Sequence, residues 1–323
     1  MRLARRRFLH LAAGAAALPT MSRIARAQAY PTRPVRIVVG FPAGLAPDAA
    51  ARLVGQPLSE RLGQPVVIEN RPGAGSNIGT EVVVRAPPDG YTLLLVAATS
   101  AMNAALYKEL NFDFVRDVAP VASIGNTIFL LVVNPSVPAK TVPEFIAYAR
   151  ANPGKTNMAS PGTGTAPHVF GELFKMMTNV DLVHVPYRSS FMPDLLGGQV
   201  QVAFMTVSTS IQHIRDGKLR ALAVTTPTRQ EVVPDVPALG EFVPGYEASG
   251  WLGIGAPRRT PTEIVERLNK EINAVLADPD LKARLVGIGI PPMSMTPTEF
   301  GKFIANETDK WGKVIKFANI RAG

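Results

Sequence analysis

The 323-residue sequence has no cysteine and lacks several other signatures of catalytic chemistry. Without thiols it can form no disulfide, thiolate nucleophile or cysteine-ligated metal site. It contains neither the Gly-x-Ser-x-Gly nucleophile motif nor the His-Glu-x-x-His zinc motif. No pair among its four histidines has the spacing of metal ligands; they are His10, His168, His184 and His213. We therefore predict that the protein is not an enzyme and needs no cofactor or metal.

Charged residues and long apolar runs are also scarce. Charged side chains make up 18% of the sequence and hydrophobic ones 46%, which is typical of a folded chain with a large interior. Six of the 34 basic residues lie in the first 29 positions, which hold no acid, so the rest carries 28 basic and 25 acidic residues, a net charge of +3. That remainder has no basic stripe, and we expect no nucleic-acid partner. No later run reaches ~18 apolar residues, so we expect a soluble mature chain.

The first 29 residues have the composition of an export signal. Arg5-Arg6-Arg7-Phe8-Leu9 is followed by a short apolar run at 11–18 and by Ala27-Gln28-Ala29. A basic start, an apolar middle too short to cross a membrane and a small-residue end are typical of secretory signals. We predict cleavage after Ala29 and a periplasmic location. The paired arginines before Phe-Leu favour twin-arginine export, with an ordinary Sec signal as the alternative.

Short apolar runs alternate with helical patterns along the rest of the chain. The pattern predicts a strand at 35–39, a helix at 47–62 with a kink or distorted turn at Pro57, and a strand at 66–68. Strand–helix–strand order predicts parallel sheets in a doubly wound α/β protein, and the length suits two lobes of ~150 residues. Further strands are predicted at 92–97, 128–133, 182–185, 200–205, 219–225 and 251–255.

Three segments carry the capping-box pattern of a helix start, with a threonine, a glutamate three positions later and a proline between them. These segments are 141–144, 260–263 and 296–299. In such a box the threonine oxygen and the glutamate carboxylate each accept a backbone N–H that the helix leaves unpaired. Each segment therefore predicts a helix N-terminus.

Three loops that contain glycine, at 40–48, 70–79 and 160–168, each follow a predicted strand. None has the spacing of a dinucleotide fingerprint or the lysine of a P-loop. Their N–H groups and the dipole of a following helix could hold a carboxylate, and Thr163 and Thr165 add hydroxyl donors. Ordinary strand-to-helix turns remain the alternative, and we interpret His184, like His168, as a structural histidine.

Taken together, six segments in this order resemble the substrate-binding proteins of tripartite tricarboxylate transporters, also called the Bug receptor family. They are Phe41-Pro42-Ala43-Gly44 with Asp48, Asn70 to Gly75, Pro88 to Leu94, Val185-Pro186-Tyr187, Leu195 to Val200 and Gly217 to Val224. The resemblance covers nearly all of residues 32–320.

The resemblance implies a fold like that of type II periplasmic binding proteins, with two doubly wound α/β lobes around a ligand cleft that closes by a hinge motion. The chain would cross between lobes near Asn126 and Gly250. This predicts lobe 1 at 30–126 plus 251–323 and lobe 2 at 127–250. The ligand-binding residues predicted in this way are Phe41, Pro42, Ala43, Gly44, Asp48, Thr99, Ser100, Ser160, Gly162, Thr163, Gly164, Thr165, His168, Tyr187, Arg188 and Thr206.

Departures from the family pattern indicate which acid is bound. Leu45-Ala46-Pro47 replaces a stretch rich in glycine and threonine, and Met205 stands where the family often has aspartate. A more apolar cleft, with direct charge from Arg188, predicts a monocarboxylate or aromatic acid; a solvent-exposed Arg188 is the open alternative. The protein, expected to be a monomer, would deliver this acid to two integral-membrane transporter subunits. Alternatives are presentation to a membrane sensor kinase and, less favoured, a periplasmic hydrolase or lyase.

Overall fold

A computed structural model describes residues 30–107, 109–187 and 189–321. The predicted export signal and Arg188 lie outside these ranges. Within them the chain forms two five-stranded sheets with helices packed against them. The strands are β1 (Val35–Val39), β2 (Val66–Asn70), β3 (Thr92–Ala97), β4 (Val118–Thr127), β5 (Phe129–Val133), β6 (Thr156–Ser160), β7 (Leu182–Pro186), β8 (Val202–Thr206), β9 (Arg220–Val224) and β10 (Gly250–Pro257).

The helices alternate with these strands along most of the chain. Helix α1 runs through Pro57 as one element. The helices are α1 (Ala46–Leu62), α2 (Asn77–Val84), α3 (Ala98–Leu106), α4 (Phe114–Asp117), α5 (Val142–Ala151), α6 (Ala166–Thr178), α7 (Met192–Leu196), α8 (Val207–Arg215), α9 (Thr262–Leu276), α10 (Pro279–Gly287) and α11 (Pro297–Phe317). Among the residues that the structure describes, no helix is both long and apolar enough to cross a membrane.

The two sheets repeat one topology. Their strand orders are β2-β1-β3-β10-β4 and β7-β6-β8-β5-β9. In each sheet the first three strands are parallel, and the fourth is antiparallel to both of its neighbours. The prediction of parallel pairing is therefore right for three strands of each sheet and wrong for β10 and β5. These strands enter their sheets at the end where the parallel strands finish, so they run in the opposite direction.

The sheets meet where β4 passes into β5 through a single residue, Ile128. Gly250 pairs with Thr127 at this point, and a Cβ on Gly250 would lie 3.0 Å from the Thr127 Cβ. On one side of the crossover Ala97, the last residue of β3, pairs with β10. On the other side Phe129 pairs with Thr206, the last residue of β8. The carboxyl ends of both sets of parallel strands therefore flank the crossover.

Helix α11 packs against α3 and α6, which follow strands of different sheets. Its fully buried Trp311 stacks on Phe170 of α6 with ring centroids 5.1 Å apart. The Glu307 carboxylate accepts the indole N–H groups of both Trp311 and Trp251. Helix α11 therefore ties the layers of the two sheets into one hydrophobic core.

Only one of the three predicted capping boxes forms completely. In α11, Thr296 Oγ1 accepts the Glu299 N–H, and the Glu299 carboxylate accepts the Thr296 N–H. At α5, Thr141 Oγ1 accepts the Glu144 N–H, but the Glu144 carboxylate accepts the N–H of Lys140 and not that of Thr141. At 260–263 a helix begins as predicted, at Thr262 of α9, but the capping box does not form, because the buried Thr260 hydroxyl donates to the Pro257 carbonyl.

Candidate functional site

The first loop, residues 40–48, folds around the buried side chain of Asp48. Gly44 has a φ of +84°, and its N–H donates to Asp48 Oδ2 at 2.9 Å. Such a φ favours glycine because a Cβ would crowd the backbone. Residues 42–46 around this turn are exposed to solvent. The backbone of the loop is therefore at the surface, whereas the Asp48 carboxylate that holds its turn is buried.

The second loop, residues 160–168, repeats this conformation. Gly164 has a φ of +79°, and its N–H donates to His168 Nδ1 at 3.0 Å. In both loops the glycine precedes a helix whose second residue is a proline, and the fastening side chain lies four positions after the glycine. Asp48 and His168 therefore occupy equivalent positions, each being the third residue of the helix that follows its loop.

Four helices begin at these strand ends without a side-chain cap. Helices α1 and α6 follow the two loops, and the side chains of their N-cap residues, Leu45 and Thr165, accept no backbone N–H. The Thr165 hydroxyl donates to the Gly162 carbonyl instead. Helices α3 and α8 follow β3 and β8, and their N-cap residues Ala97 and Thr206 also provide no side-chain cap. Each helix therefore keeps first-turn N–H groups that can bind an anion.

The predicted Thr99 and Ser100 lie in the first turn of α3, and Thr206 is the N-cap of α8. The buried Ser100 hydroxyl accepts the Ala97 N–H at 3.4 Å, and Thr206 Oγ1 hydrogen-bonds Thr209 Oγ1 at 2.9 Å. Because Ala97 and Thr206 flank the crossover, the structure brings the starts of α3 and α8 towards one another. Their orphan N–H groups belong to the same region as the loops that follow β1 and β6.

The second loop contacts an element that follows a strand of the other sheet. A Cβ on Gly164 would lie 3.0 Å from Leu106 Cδ1, so the second loop packs against the end of α3. Within the described residues, no hydrogen bond or salt bridge joins 40–48 to 160–168. A cavity of about 760 Å³ lies elsewhere, between the ends of α3 and α11, and is lined by none of the predicted site residues.

Asp48 is 3% exposed and is surrounded by protein donors. Besides the Gly44 N–H it accepts Arg52 Nε at 3.1 Å and Asn70 Nδ2 at 2.9 Å. Burial opposes ionisation, but the hydrogen bonds from Arg52, Gly44 and Asn70 hold the pKa of Asp48 below its usual value. Asn70 also donates to the Phe41 carbonyl at 3.0 Å. Asp48 and Asn70 thus position the first loop, and Asn70 was missing from the predicted site although it lies in one of the six segments.

A second histidine supports the second loop and was also missed. The rings of His168 and His184 stack with centroids 3.5 Å apart. His184 Nε2 lies 2.7 Å from Ser160 Oγ, which accepts the Gly162 N–H at 3.1 Å. Burial, and then the charge of His168, lower the pKa of His184 to about 4. In the sequence no spacing links His184 to Ser160; they meet because β6 and β7 pair in parallel.

The remaining predicted residues differ in what they can offer. Pro42, Ala43 and Thr163 are exposed on the loops. The Tyr187 hydroxyl donates to Asp194 Oδ2 at 2.6 Å, and this bond raises the pKa of Tyr187 to about 12. The Tyr187 hydroxyl proton is therefore already donated to Asp194. No group of three or more His, Asp or Glu side chains within the described ranges could hold a metal ion.

Comparison with known proteins agrees with this architecture. Residues 50–320 match the tripartite tricarboxylate transporter family receptor. BugT of Bordetella pertussis is 35% identical, with 90% of each chain covered. A protein from the tcbD-tcbE intergenic region of Pseudomonas sp. is 38% identical, and the match covers 94% of this chain and 92% of that protein.

Solved structures of similar proteins share the fold. An R. palustris protein solved with adipate has a TM-score of 0.77 and 37% identity, and the match covers 90% of this chain and 99% of that one. MatC from Rhodopseudomonas palustris with bound malate has a TM-score of 0.74 and 30% identity, with 88% and 100% covered. The periplasmic binding protein BugD has a TM-score of 0.74 and 32% identity, with 90% and 99% covered. The predicted fold class and family are thereby confirmed: the chain belongs to the tripartite tricarboxylate transporter receptor family, which consists of periplasmic substrate-binding receptors and not of enzymes.

Proposed function

We propose that this receptor binds a small organic acid between the first loop and the second loop and delivers it to a tripartite tricarboxylate-type membrane transporter. The observation that carries the proposal is the pair of matching loops, each leading into an uncapped helix. The orphan N–H groups of a helix start and its dipole favour an anion. Two such starts, one from each sheet, suit a carboxylate held between lobes.

Relatives support the class of ligand. Structures with TM-scores of 0.77 and 0.74 to this chain were solved with adipate and with malate, which are both small carboxylic acids. Both are dicarboxylates, so they support a small organic acid in general and not specifically the monocarboxylate or aromatic acid predicted from the sequence.

Leu45 supports an acid with an apolar body. This N-cap residue of α1 is 51% exposed on the first loop, where the second loop has Thr165. Met205, the other apolar residue that departs from the family pattern, is only 5% exposed. It packs in the core of the second sheet and so does not make the binding surface more apolar. An apolar side chain at the rim binds methylene or aromatic carbons better than a second carboxylate. We therefore propose a monocarboxylate or aromatic acid.

Calorimetric titration with benzoate, adipate and citrate tests the ligand class. We expect benzoate to bind more tightly than adipate, and adipate more tightly than citrate, and we expect Leu45→Thr to narrow these differences in affinity. Thr163→Val removes an exposed hydroxyl from the second loop and should weaken binding, whereas Thr298→Val, at an exposed threonine on α11, should not. Tightest binding of citrate would refute the choice of acid. Absence of binding by all three acids would refute the proposed function.

Delivery to a transporter is tested separately with membranes. We expect the acid-loaded protein to be monomeric in solution and to recover two integral-membrane transporter subunits from solubilised membranes. Recovery of a sensor kinase without those subunits would favour ligand sensing instead. The proposed export signal is tested by N-terminal sequencing of the periplasmic protein, which should begin at Tyr30.

A further inference from the structure

Two imidazole rings from different elements stack behind the second loop. His168 lies in the first turn of α6, and His184 lies on β7. Their planes are 8° apart, and their centroids are separated by 3.5 Å. His168 is 5% exposed, and its Nδ1 accepts the N–H of Gly164 in the loop. The pair is therefore joined directly to backbone that the proposed function assigns to the acid.

We propose that His168 and His184 are positioning residues that hold the second loop only while both rings are neutral, so that the receptor loses affinity for its acid as pH falls. This inference rests on the proposed function, because it concerns the same loop. It adds a pH dependence that no contact in the first loop would produce.

Hydrogen bonding at His168 sets the direction of the effect. Nδ1 needs its lone pair to accept the Gly164 N–H at 3.0 Å. A proton on Nδ1 would face that N–H and break the bond. On the other side of the ring, Nε2 lies 3.6 Å from Glu172 Oε1. Protonation of Nδ1 therefore releases the loop.

The surrounding groups limit the pair to one proton. Two charged rings at stacking distance would repel each other strongly. Helix α6 contributes Glu172 and Lys175, whose ammonium lies 2.9 Å from the same carboxylate. Strands β6 and β8 contribute no charged side chain. Helix α11 packs against α6 with Glu307 and Lys310, which pair with one another.

Ser160 connects the second ring to the same loop. Its Oγ lies 2.7 Å from His184 Nε2, accepts the Gly162 N–H at 3.1 Å and lies 3.0 Å from the Gly162 carbonyl. Burial and the neighbouring ring lower the pKa of His184 to about 4, so the His184 ring stays neutral above that pH.

The first loop provides an internal comparison. Asp48 accepts the Gly44 N–H just as His168 accepts the Gly164 N–H, but the pKa of Asp48 is lowered and Arg52 pairs with it. Its carboxylate stays an acceptor across the range in which histidine titrates. The proposed pH dependence therefore belongs to one side of the site.

Adipate affinity, measured by calorimetry between pH 7.5 and 5.5, tests the proposal. His168→Asn keeps an acceptor near the Nδ1 position but cannot take up a proton. We expect the ratio of the wild-type dissociation constant to that of His168→Asn to rise at least about three-fold across this range, with a limit of ten-fold per pH unit for one proton. The ratio cancels the titration of adipate itself. His213→Asn, at the third described histidine, should follow the wild type.

NMR of the unliganded protein gives an independent measurement. We expect the Gly164 amide signal to shift with the same midpoint as the His168 ring, and this shift to be lost in His168→Asn. A constant affinity ratio, or a Gly164 amide that ignores the His168 titration, would overturn the pair as a pH-dependent support. If wild-type protein does not bind adipate at pH 7.5 but the Gly164 amide follows His168, the ligand proposal is wrong and the pair still controls the loop.

Discussion

At the scale of single residues, two equivalent positions perform one task with different chemistry. Asp48 and His168 each accept the N–H of a glycine four positions earlier, and each is almost fully buried. Buried acceptors of this kind hold a turn because breaking the bond would leave an unpaired N–H. These side chains position the loop backbone that we propose binds the acid.

Replacing Asp48 should therefore weaken both folding and binding. Asp48→Ala leaves the Gly44 N–H, the Asn70 amide and the Arg52 guanidinium without their acceptor. We expect urea unfolding to show a loss of ~1–3 kcal/mol, and adipate titration to show weaker binding. Asp309→Ala, at an exposed acid on α11, is the matched control and should change neither quantity. Weaker binding with full stability would mean that Asp48 contacts the acid directly.

His184 should make stability depend on pH. Its folded pKa of about 4 lies below the usual value of 6.5, so between these limits the unfolded chain binds a proton that the folded chain does not. This contribution is present above pH ~6.5 and is lost as pH falls towards 4, with a slope of at most ~1.4 kcal/mol per pH unit. Partial exposure of the ring reduces that slope.

The measurement is urea unfolding at pH 7.5, 6.0 and 5.0 for wild type and His184→Gln. We expect the stability of the wild type relative to the variant to decrease as the pH is lowered, because only the wild type carries the depressed histidine. A difference that stays constant with pH would contradict the assigned titration of His184.

At the scale of elements, helix starts decide where the chain exposes unpaired N–H groups. Helix α11 closes its start with the Thr296–Glu299 box, whereas α1 and α6 begin without a side-chain cap. A structural helix gains stability from a closed start, and a binding helix needs an open one. Helices α2, α7 and α9 also begin without a side-chain cap, so the open starts of α1 and α6 are distinctive only together with the matching loops that precede them.

Removing the α11 cap should destabilise the protein without affecting ligand binding. Thr296→Ala loses the side-chain acceptor for the Glu299 N–H, and we expect a loss of ~1 kcal/mol in urea unfolding. Thr298→Ala, at an exposed position in the same first turn, should cost much less. Adipate affinity should be the same in both variants. Equal unfolding midpoints would show that the cap contributes nothing.

At the scale of the whole molecule, α11 links the packing around the two sheets. Its Trp311 is fully buried against Phe170, whereas Phe317 near the end of the same helix is 63% exposed. Buried aromatic surface contributes to stability in proportion to the area removed from water. One helix at the carboxyl end of the chain therefore supports elements from its middle.

Truncating Trp311 should cost most of the stability that this contact provides. We expect Trp311→Ala to lower the free energy of unfolding in urea by ~3–5 kcal/mol. The substitution leaves a cavity and removes one of the indole N–H groups that donate to the Glu307 carboxylate. Phe317→Ala, the matched control on α11, should lose less than ~1 kcal/mol because its ring is already in water. A small loss for Trp311→Ala would mean that the core around Phe170 closes over the gap.

The local structure of this protein could largely be predicted from its sequence. Val35–Val39 and Thr92–Ala97 form strands with the predicted bounds, because central strands buried on both faces leave uninterrupted apolar runs. The two loops were among three candidates because each contains glycine directly after a predicted strand, and the structure adds that Gly44 and Gly164 take the left-handed conformation. Family membership also followed from the sequence, since it depends on short motifs in a fixed order.

Contacts between distant segments were decided only by the tertiary structure. Strand direction in β5 and β10 depends on the end at which each strand enters its sheet, and no local pattern encodes that choice. His184 supports the second loop, and Asn70 the first, because parallel neighbouring strands end side by side. Propensity and capping act over a few residues and can be read from the chain, whereas these contacts join residues more than twenty positions apart and exist only after the sheets have formed.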